Sequence, residues 1–493
     1  MQALPGWLEQ RAFLTPEKPA LIGASGEVLT WAGLHAAASA GARLLRAAGL
    51  APGDRVAILA GNGLPFCIAV HALAEARLTA VPVNTRLAGP EVAFQLKAAG
   101  VAAVLADAAR ESQARALSDR VFSLEELASL STLPGAGKGT PKEPERTRRV
   151  LLDDPQGILF TSGTTGSPKG AVLTFGNHWW SAIGSALRLG LRPDDRWLLC
   201  LPLFHVGGLS ILMRGVICGI PAVVHERFDP EQANRAIDRE GVTIVSAVSQ
   251  MLERMLDARR DAPFPPSLRC VLTGGGPVPA PLLERCARLG VPVVQTYGLT
   301  ETASQAATLA PEEALVKLGS AGKPLFCTEI KVDAPKGEVG EIWVRGPNVS
   351  PGYATPTGID RRDGDWLRTG DLGRLDEDGY LYVAARREDL IISGGENVYP
   401  AEVESVLKAH PGVLDAGVVG RDDPRWGQVP VAFVVARPGR TVKPEELAAF
   451  CRERLAKYKV PVAFVAAGEL PKNASGKLLR RVLRDAAAGE KEL

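Results

Sequence analysis

A loop rich in glycine, hydroxyl side chains and lysine follows an apolar segment about one third of the way along the chain. Residues 157–160 read Gly-Ile-Leu-Phe, and residues 161–170 read Thr-Ser-Gly-Thr-Thr-Gly-Ser-Pro-Lys-Gly. This order predicts a buried strand that runs into a loop. Glycines let the backbone approach a polyphosphate, and hydroxyls, ammonium and backbone N–H groups bind its oxygens. A flexible Ser/Gly linker is the alternative. The candidate phosphate-binding residues are Thr161, Ser162, Gly163, Thr164, Thr165, Gly166 and Lys169.

The loop differs from the P-loop of NTPases. That motif has the form G-x-x-x-x-G-K-[ST] and leads into a helix. Here Gly170 follows Lys169, and residues 171–174 have the composition of an extended segment. The sequence therefore disfavours a P-loop NTPase or kinase.

Bulk properties restrict the class of protein. A chain of 493 residues is too long for one hydrophobic core and is expected to form two or more lobes. The net charge of +2 offers no basic field for nucleic acid. The seven cysteines lack C-x-x-C spacing and are typical of reduced thiols. We find no secretory signal, and Arg214 and Pro221 interrupt the most apolar stretch, so we expect a cytoplasmic protein without membrane insertion.

Short apolar segments alternate with helical patterns in the first third of the chain, which favours an α/β fold with sheets covered by helices. Strands are predicted at 55–60, 80–83, 101–105, 197–200, 242–246 and 269–273, and helices at 64–76 and 90–99. Residues 341–345 and 380–383 predict an antiparallel or barrel-like section. Beyond it, helices are predicted at 401–409 and 444–457, with strands at 413–419 and 429–436. We therefore expect a large domain at 1–387 and a small, mobile α+β lid domain at 388–493.

Six further motifs follow the loop. They are Leu-Pro-Leu-Phe-His at 201–205, Gly-Gly-Gly-Pro at 274–277, Gln-Thr-Tyr-Gly-Leu-Thr-Glu-Thr at 295–302, Trp-Leu-Arg-Thr-Gly-Asp-Leu-Gly at 366–373, Ile-Ser-Gly-Gly-Glu-Asn-Val-Tyr-Pro at 392–400 and Pro-Lys-Asn-Ala-Ser-Gly-Lys at 471–477. In this order they resemble the acyl-adenylate-forming superfamily, which contains acyl- and aryl-CoA synthetases, luciferases and peptide-synthetase adenylation domains. The resemblance spans essentially the whole chain. It implies an ATP-dependent acid–CoA ligase that uses Mg²⁺ and coenzyme A.

The resemblance assigns nucleotide-binding roles to individual residues. Tyr297 offers a ring for adenine stacking, and Thr300 can donate to the α-phosphate. Glu301 is a hard oxygen ligand suited to Mg²⁺, and the two oxygens of Asp371 match a ribose diol. The remaining nucleotide-binding candidates are Gly274, Gly275, Gly276, Thr296, Gly298 and Arg386.

The resemblance also implies an acid pocket, a thiol tunnel and a lid. His205 is expected to be the wall and gate of the acid pocket, which Gly275 and Gly276 also line. Gly394 and Gly395 would let the pantetheine arm pass. Lys477 is the expected catalytic lysine of the lid. The hinge is assigned to Glu388, although the family has lysine or aspartate there, and Ala385 replaces a family glycine.

Arg214 bears on the identity of the acid. It interrupts an apolar segment beyond the acid gate, and an unpaired buried cation is costly. A second carboxylate on the substrate would satisfy it, whereas a fatty acid offers nothing there. The alternatives are that Arg214 pairs with a protein carboxylate or points to solvent.

Competing functions are a medium-chain or aromatic acyl-CoA synthetase and, more weakly, a peptide-synthetase adenylation domain. A non-catalytic nucleotide-binding regulator is a further alternative. Retention of Glu301, Asp371, Arg386 and Lys477 argues against such a regulator. The expected partners are small-molecule substrates. The sequence does not decide whether the protein forms a homo-oligomer.

Overall fold

The computed structural model describes residues 2–129, 149–161, 168–276, 278–386, 389–393, 396–424, 426–455, 457–473, 476 and 478–489. The strands in these ranges are β1 Ala3–Pro5, β2 Pro19–Gly23, β3 Val28–Thr30, β4 Arg55–Leu59, β5 Thr79–Pro82, β6 Val101–Ala106, β7 Val121–Ser123, β8 Arg149–Leu151, β9 Pro155–Thr161, β10 Lys169–Thr174, β11 Trp197–Leu199, β12 Ala222–Val224, β13 Ile244–Ala247, β14 Cys270–Thr273, β15 Val293–Tyr297, β16 Ala307–Thr308, β17 Lys323–Pro324, β18 Glu329–Asp333, β19 Gly340–Arg345, β20 Gly352–Thr355, β21 Gly358–Arg361, β22 Leu367–Leu375, β23 Leu381–Arg386, β24 Ile391–Ser393, β25 Glu396–Val398, β26 Val413–Asp423, β27 Gly427–Ala436 and β28 Ala463–Ala466. The α-helices are α1 Trp7–Leu14, α2 Trp31–Ala47, α3 Leu64–Ala76, α4 Gly89–Ala98, α5 Glu111–Arg115, α6 Leu124–Ser129, α7 Phe175–Leu189, α8 Val206–Cys218, α9 Pro230–Arg239, α10 Ser249–Arg259, α11 Ala280–Arg288, α12 Pro400–Lys408, α13 Pro444–Arg452 and α14 Arg480–Ala487.

Two large sheets form the first four fifths of the chain. One has the order β17-β16-β15-β14-β13-β11-β12-β2-β3, and its strands from β15 to β2 are parallel. The other has the order β21-β20-β10-β9-β5-β4-β6-β7 and is parallel from β9 to β7. Strand β10 runs antiparallel to β9, so the chain between them reverses direction. Thr161 and Lys169, which border the glycine-rich segment, are therefore neighbours in the second sheet.

A shared hydrophobic core joins the two sheets through helices α2, α3 and α8. Helix α3 is apolar on nearly every side, and ten of its residues are buried, which is typical of a helix enclosed by other elements. The same core cluster contains Leu73 of α3, Leu212 of α8 and Leu199 of β11. Helix α8 therefore leads from the end of β11 into the protein interior.

Three smaller sheets complete the described fold, and the first is the antiparallel pair β1-β8. Strands β18-β19-β22-β23 form an antiparallel sheet, which confirms the predicted antiparallel or barrel-like section. Strands β25-β24-β27-β26, with β28 beside β27, pack with α12 and α13 around a separate apolar core. The observed mixture of large sheets, helices and a small C-terminal α+β unit confirms the predicted fold class. The proposed boundary at 387/388 falls between β23 and β24.

The sequence placed several elements correctly and erred in others. The helix predicted at 64–76 matches α3 to the residue. The helix predicted at 444–457 is too long, because α13 ends at Arg452. The motif at 201–205 follows β11, which ends at Leu199, and forms the connection to α8. Among the described residues, no helix is both long and apolar enough to cross a membrane.

Candidate active site

The residues singled out from the sequence gather at the carboxyl edge of the nine-stranded sheet. Gly274–Gly276 follow β14, Gly298–Glu301 follow β15, and His205 follows β11. Because these strands are parallel, their carboxyl ends meet at one edge, which is where α/β sheets bind ligands. The topology thus brings the glycine motif, the tyrosine motif and the histidine to one location.

A buried tyrosine–aspartate pair links this edge to the antiparallel sheet. The Tyr297 hydroxyl donates to Asp371 Oδ2 at 2.7 Å, and both residues are buried. The hydroxyl of Thr369 accepts from the Asp371 N–H at 3.0 Å and fixes the turn of the backbone. Asp371 lies opposite Arg386 in the register of β22 and β23; the Arg386 side chain lies outside the described atoms. Three of the predicted nucleotide-binding residues therefore converge, although they are far apart in the sequence.

The turn after Tyr297 is held in an unusual backbone conformation. Ala303 and Ser304 have φ of 51° and 102°, values that residues with a side chain rarely adopt. A Cβ built on Gly298 would lie 1.5 Å from the Ser304 carbonyl oxygen, so only glycine permits this approach. The Ser181 hydroxyl of α7 donates to the Ala303 carbonyl at 2.6 Å. These contacts fix the position of the Thr300–Glu301 segment.

Tyr353 on β20 connects Glu301 with Lys169. Its hydroxyl donates to Glu301 Oε1 at 3.0 Å, and Lys169 Nζ lies 5.4 Å from the centre of its ring. Tyr353 could not be identified from the sequence, because its strand pairs with β10 only in the folded chain. Mg²⁺ commonly takes one carboxylate plus substrate phosphates, so a half-buried Glu301 beside a phosphate loop fits such a site.

The two ends of the glycine-rich loop lie side by side. Thr161 and Lys169 are register partners of β9 and β10, and the Thr161 hydroxyl donates to the Lys169 carbonyl at 3.4 Å. The predicted phosphate-binding residues Ser162, Gly163, Thr164, Thr165 and Gly166 lie outside the described residues. The strand predicted before this segment and the extended stretch predicted after it are confirmed as β9 and β10.

The glycine motif after β14 lies next to Val248. Gly275 has a φ of +81°, and a Cβ on it would lie 3.5 Å from Val248 Cγ1. A Cβ on Gly274 would lie 3.0 Å from Thr296 Cγ2, so the strand ends approach closely here. The Thr296 hydroxyl itself donates to the Ala307 carbonyl at 2.8 Å and is thus engaged within the sheet.

His205 precedes the first turn of α8 and carries a neutral ring. Burial is the main cause that lowers its pKa to about 4, and the positive charge of Arg86 contributes less. Its Nε2 is buried and has no hydrogen-bond partner within the described part of the chain. The ring lies 4.6 Å from that of Phe204, measured between centroids. His205 therefore presents a flat, uncharged surface, as the wall of an apolar pocket requires.

Arg214 is completely buried on α8. It is 2 % exposed, and in the described ranges its Nε and Nη2 have no hydrogen-bond partner. No described carboxylate lies within 4.0 Å of it, and the Trp197 ring is 5.4 Å from its guanidinium carbon. Burial lowers its pKa to about 10, so the group is charged at neutral pH. Neither alternative from the sequence, a protein carboxylate or solvent, accounts for this guanidinium among the described residues.

Helix geometry relates Arg214 to His205. Nine residues of α-helix span about 13 Å, and helical side chains lean toward the N-terminus. The guanidinium of Arg214 lies 5.4 Å from the ring of Trp197 at the start of β11, and the ionisable groups that act on it are Cys218 and Cys270. Arg214 is therefore deeper in the interior than His205, beside the first residues of β11 and β14.

The C-terminal unit reaches the same edge. A Cβ on Gly476 would lie 3.5 Å from Val248 Cγ2, the side chain that also faces Gly275. Lys477 follows directly but lies outside the described residues, as do Glu388, Gly394 and Gly395. The segment that contains the predicted catalytic lysine thus approaches the glycine motif of the large sheet.

Comparison with known proteins agrees with this geometry. The family model for AMP-binding enzymes matches residues 8–354 of the sequence. The family model for the AMP-binding enzyme C-terminal domain matches residues 402–477. The 2-succinylbenzoate–CoA ligase of Geobacillus kaustophilus is 49% identical, with 98% of each chain covered. That of Bacillus cytotoxicus is 47% identical, with 98% of this chain and 99% of that protein covered. The Bacillus subtilis o-succinylbenzoate CoA synthetase, solved with the acyl-adenylate intermediate OSB-AMP, is 45% identical with a TM-score of 0.89, and 100% of each chain is covered.

Proposed function

The chain belongs to the family of AMP-binding enzymes, and on this premise we propose that it is a 2-succinylbenzoate–CoA ligase. It converts 2-succinylbenzoate, ATP and coenzyme A into 2-succinylbenzoyl-CoA, AMP and diphosphate, a step of menaquinone biosynthesis. The full-length relatives and the B. subtilis enzyme carry this activity in their names. The B. subtilis enzyme has also been solved with ATP and magnesium ion, in agreement with ATP and Mg²⁺ as requirements here.

In the first half-reaction the succinyl carboxylate attacks the α-phosphorus of ATP, and diphosphate leaves. Two anions meet in this step, so positioning and charge stabilisation provide most of the catalysis. We assign Tyr297 and Asp371 to the nucleoside, and Thr300 and the 161–170 loop to the phosphates. Glu301, oriented by Tyr353, holds Mg²⁺, which neutralises charge on the phosphates when bound. Lys477 completes the site from the lid.

In the second half-reaction the coenzyme A thiol attacks the acyl carbonyl and AMP leaves. One lid position cannot present both Lys477 and the thiol tunnel to the same carbon, so the lid rotates about the segment that contains Glu388. Gly394 and Gly395 belong to the tunnel that forms after this rotation. The approach of Gly476 to Val248 is the arrangement suited to the first half-reaction.

The observation that carries the substrate assignment is the unpaired, buried Arg214. Only one carboxylate of 2-succinylbenzoate can lie at the α-phosphate, so the ring carboxylate must be bound elsewhere. A buried guanidinium that no carboxylate of the described residues pairs with is the matching group, directly or through water. A medium-chain or unsubstituted aromatic acid would leave this charge unpaired, which disfavours those substrates.

The test compares 2-succinylbenzoate with 4-phenyl-4-oxobutanoate, which lacks the ring carboxylate. The wild type should have a kcat/KM for the diacid that is roughly 10⁴ times its kcat/KM for the analogue, if the site fully rejects an acid that leaves Arg214 unpaired. Arg214→Leu should lower kcat/KM for the diacid and narrow this preference. Arg188→Leu, which removes a cation of α7 that pairs with Glu313, is the control and should keep the wild-type preference. A wild type that prefers octanoate or benzoate, or an equal loss for both acids in Arg214→Leu, would contradict the assignment.

A further inference from the structure

His178 on α7 is a buried histidine without an assigned role. It is 2 % exposed, and its Nε2 has no hydrogen-bond partner within the described residues. Buried polar atoms are nearly always paired, so an unpaired imidazole nitrogen indicates a partner that the protein itself does not supply. His178 lies outside every motif that the sequence singled out.

Helical periodicity places His178 on the face of α7 that is directed toward Arg214. Ala182, Ser185 and Leu189 follow at intervals of three or four residues and therefore share its face. These three residues line a cavity together with Arg214 and Trp197. His178 lies one turn before Ala182 on this face, next to the residues that line the cavity, and is close enough to Arg214 for the charge of Arg214 to act on its ring.

The imidazole of His178 is neutral. Burial is the main cause that lowers its pKa to about 3, and the positive charge of Arg214 contributes less. A neutral imidazole donates one hydrogen bond and accepts another, so it can bind a carboxylate oxygen or a bridging water through its N–H. His178 Nε2, Arg214 Nε and Arg214 Nη2, which have no hydrogen-bond partner among the described residues, come from two packed helices, α7 and α8.

We propose that His178 is a specificity-determining residue that donates a hydrogen bond to the ring carboxylate of the substrate, directly or through one water, beside Arg214. This inference rests on the proposed function. Arg214 supplies the charge, and His178 supplies a second donor from another helix. Two donors on separate elements fix the position of the carboxylate on the ring, so His178 sets the preference for the ortho over the para isomer.

The experiment measures kcat/KM of the wild type and of His178→Phe, His178→Gln and His71→Phe. The acids are 2-succinylbenzoate, 4-succinylbenzoate and 4-phenyl-4-oxobutanoate. His71 on α3 is the matched control, because it is equally buried and its Nε2 is also unpaired, but it lines a different cavity. His178→Phe should lower kcat/KM for 2-succinylbenzoate by roughly 10- to 100-fold, as expected for losing a hydrogen bond to a charged group. It should leave 4-phenyl-4-oxobutanoate within about twofold of the wild type, because that acid makes no such bond.

His178→Gln keeps an N–H donor and should recover part of the preference for 2-succinylbenzoate, whereas His71→Phe should keep all of it. Should His178→Phe fail to fold, the same ratios are read from His178→Gln and His178→Ala. An equal loss for all three acids, or an unchanged ratio, overturns the role of His178. A wild type without preference for 2-succinylbenzoate overturns the proposed function instead, so the two failures are distinguishable.

Discussion

At the scale of single residues, the site depends on pairs whose members come from different elements of the fold. Tyr297 of the nine-stranded sheet binds Asp371 of the antiparallel sheet, and Tyr353 of the eight-stranded sheet binds Glu301. Each hydrogen bond orients a carboxylate that the proposed function uses. Because the partners are distant in sequence, their contribution depends on the folded chain.

Tyr353→Phe tests the orientation of Glu301. The variant loses the hydroxyl that donates to Glu301 Oε1 but keeps the ring that faces Lys169. A hydrogen bond to a charged group contributes about 1.5–3 kcal/mol, so the Mg²⁺ concentration for half-maximal adenylation should rise by roughly tenfold or more. Adenylation measured by diphosphate release over a Mg²⁺ titration provides this value. A Mg²⁺ dependence like that of the wild type would show that Tyr353 does not act on the metal ligand.

Lys477→Ala tests the division of labour between the half-reactions. Loss of one preorganised charge stabiliser should slow adenylation by roughly 10²–10³-fold or more. Thioester formation from supplied acyl-adenylate should keep its rate, because Lys477 serves only the first lid position. Both rates are measured separately, and an equal loss in both would contradict the assignment.

At the scale of elements, the turn between β15 and Glu301 tolerates only glycine at position 298. A Cβ there would lie 1.5 Å from a backbone oxygen, in a turn that already contains two residues at positive φ. Gly298→Ala should therefore shift the backbone, lower the thermal midpoint and slow adenylation by roughly 10²-fold, as expected when catalytic groups move by about 1 Å. Gly89→Ala is the control, because a Cβ there has no described atom within 4 Å. Equal midpoints and rates for the two variants would exclude this steric role.

The elements also show what the sequence could predict. Periodicity and glycine boundaries located α3 and the two strands around the phosphate loop, because those signals are local. The hairpin of β2 and β3 was missed, since β2 joins the large sheet through β12, about two hundred residues further on. The motifs identified Tyr297, Glu301 and Asp371, whereas the contact of Tyr353 with Glu301 exists only in the folded chain. His178 lies outside the motifs, and only its burial without a described partner draws attention to it. Arg214 was found because a cation in an apolar segment is visible in the sequence itself.

At the scale of the whole molecule, buried neutral histidines make stability depend on pH. Burial lowers the pKa of His71 to about 4 and that of His178 to about 3, against about 6.5 in an unfolded chain. Between the folded and unfolded pKa values, the unfolded state binds more protons than the folded state. The contribution of each neutral histidine to the free energy of unfolding is therefore fully present above about pH 6.5 and is lost as the pH decreases below that value. Each histidine should contribute a loss of about 2 kcal/mol between pH 7.5 and pH 5.0.

Unfolding by urea at pH 7.5 and pH 5.0 measures this effect in the wild type and in His71→Phe. The variant lacks one titrating group, so its loss of stability over this interval should be smaller by about 2 kcal/mol. The comparison within each protein cancels the cost of the substitution itself. An identical loss in both proteins would show that His71 does not titrate on unfolding as described.

The central claim, that the chain joins 2-succinylbenzoate to coenzyme A through an acyl-adenylate, is tested most directly by identifying the products. The protein is incubated with 2-succinylbenzoate, ATP, Mg²⁺ and coenzyme A, and octanoate and benzoate replace the diacid in parallel reactions. We predict equal amounts of AMP, diphosphate and a thioester on the succinyl carboxylate, with little product from the other two acids. Formation of ADP and phosphate, or a higher kcat/KM for octanoate or benzoate, would contradict the claim.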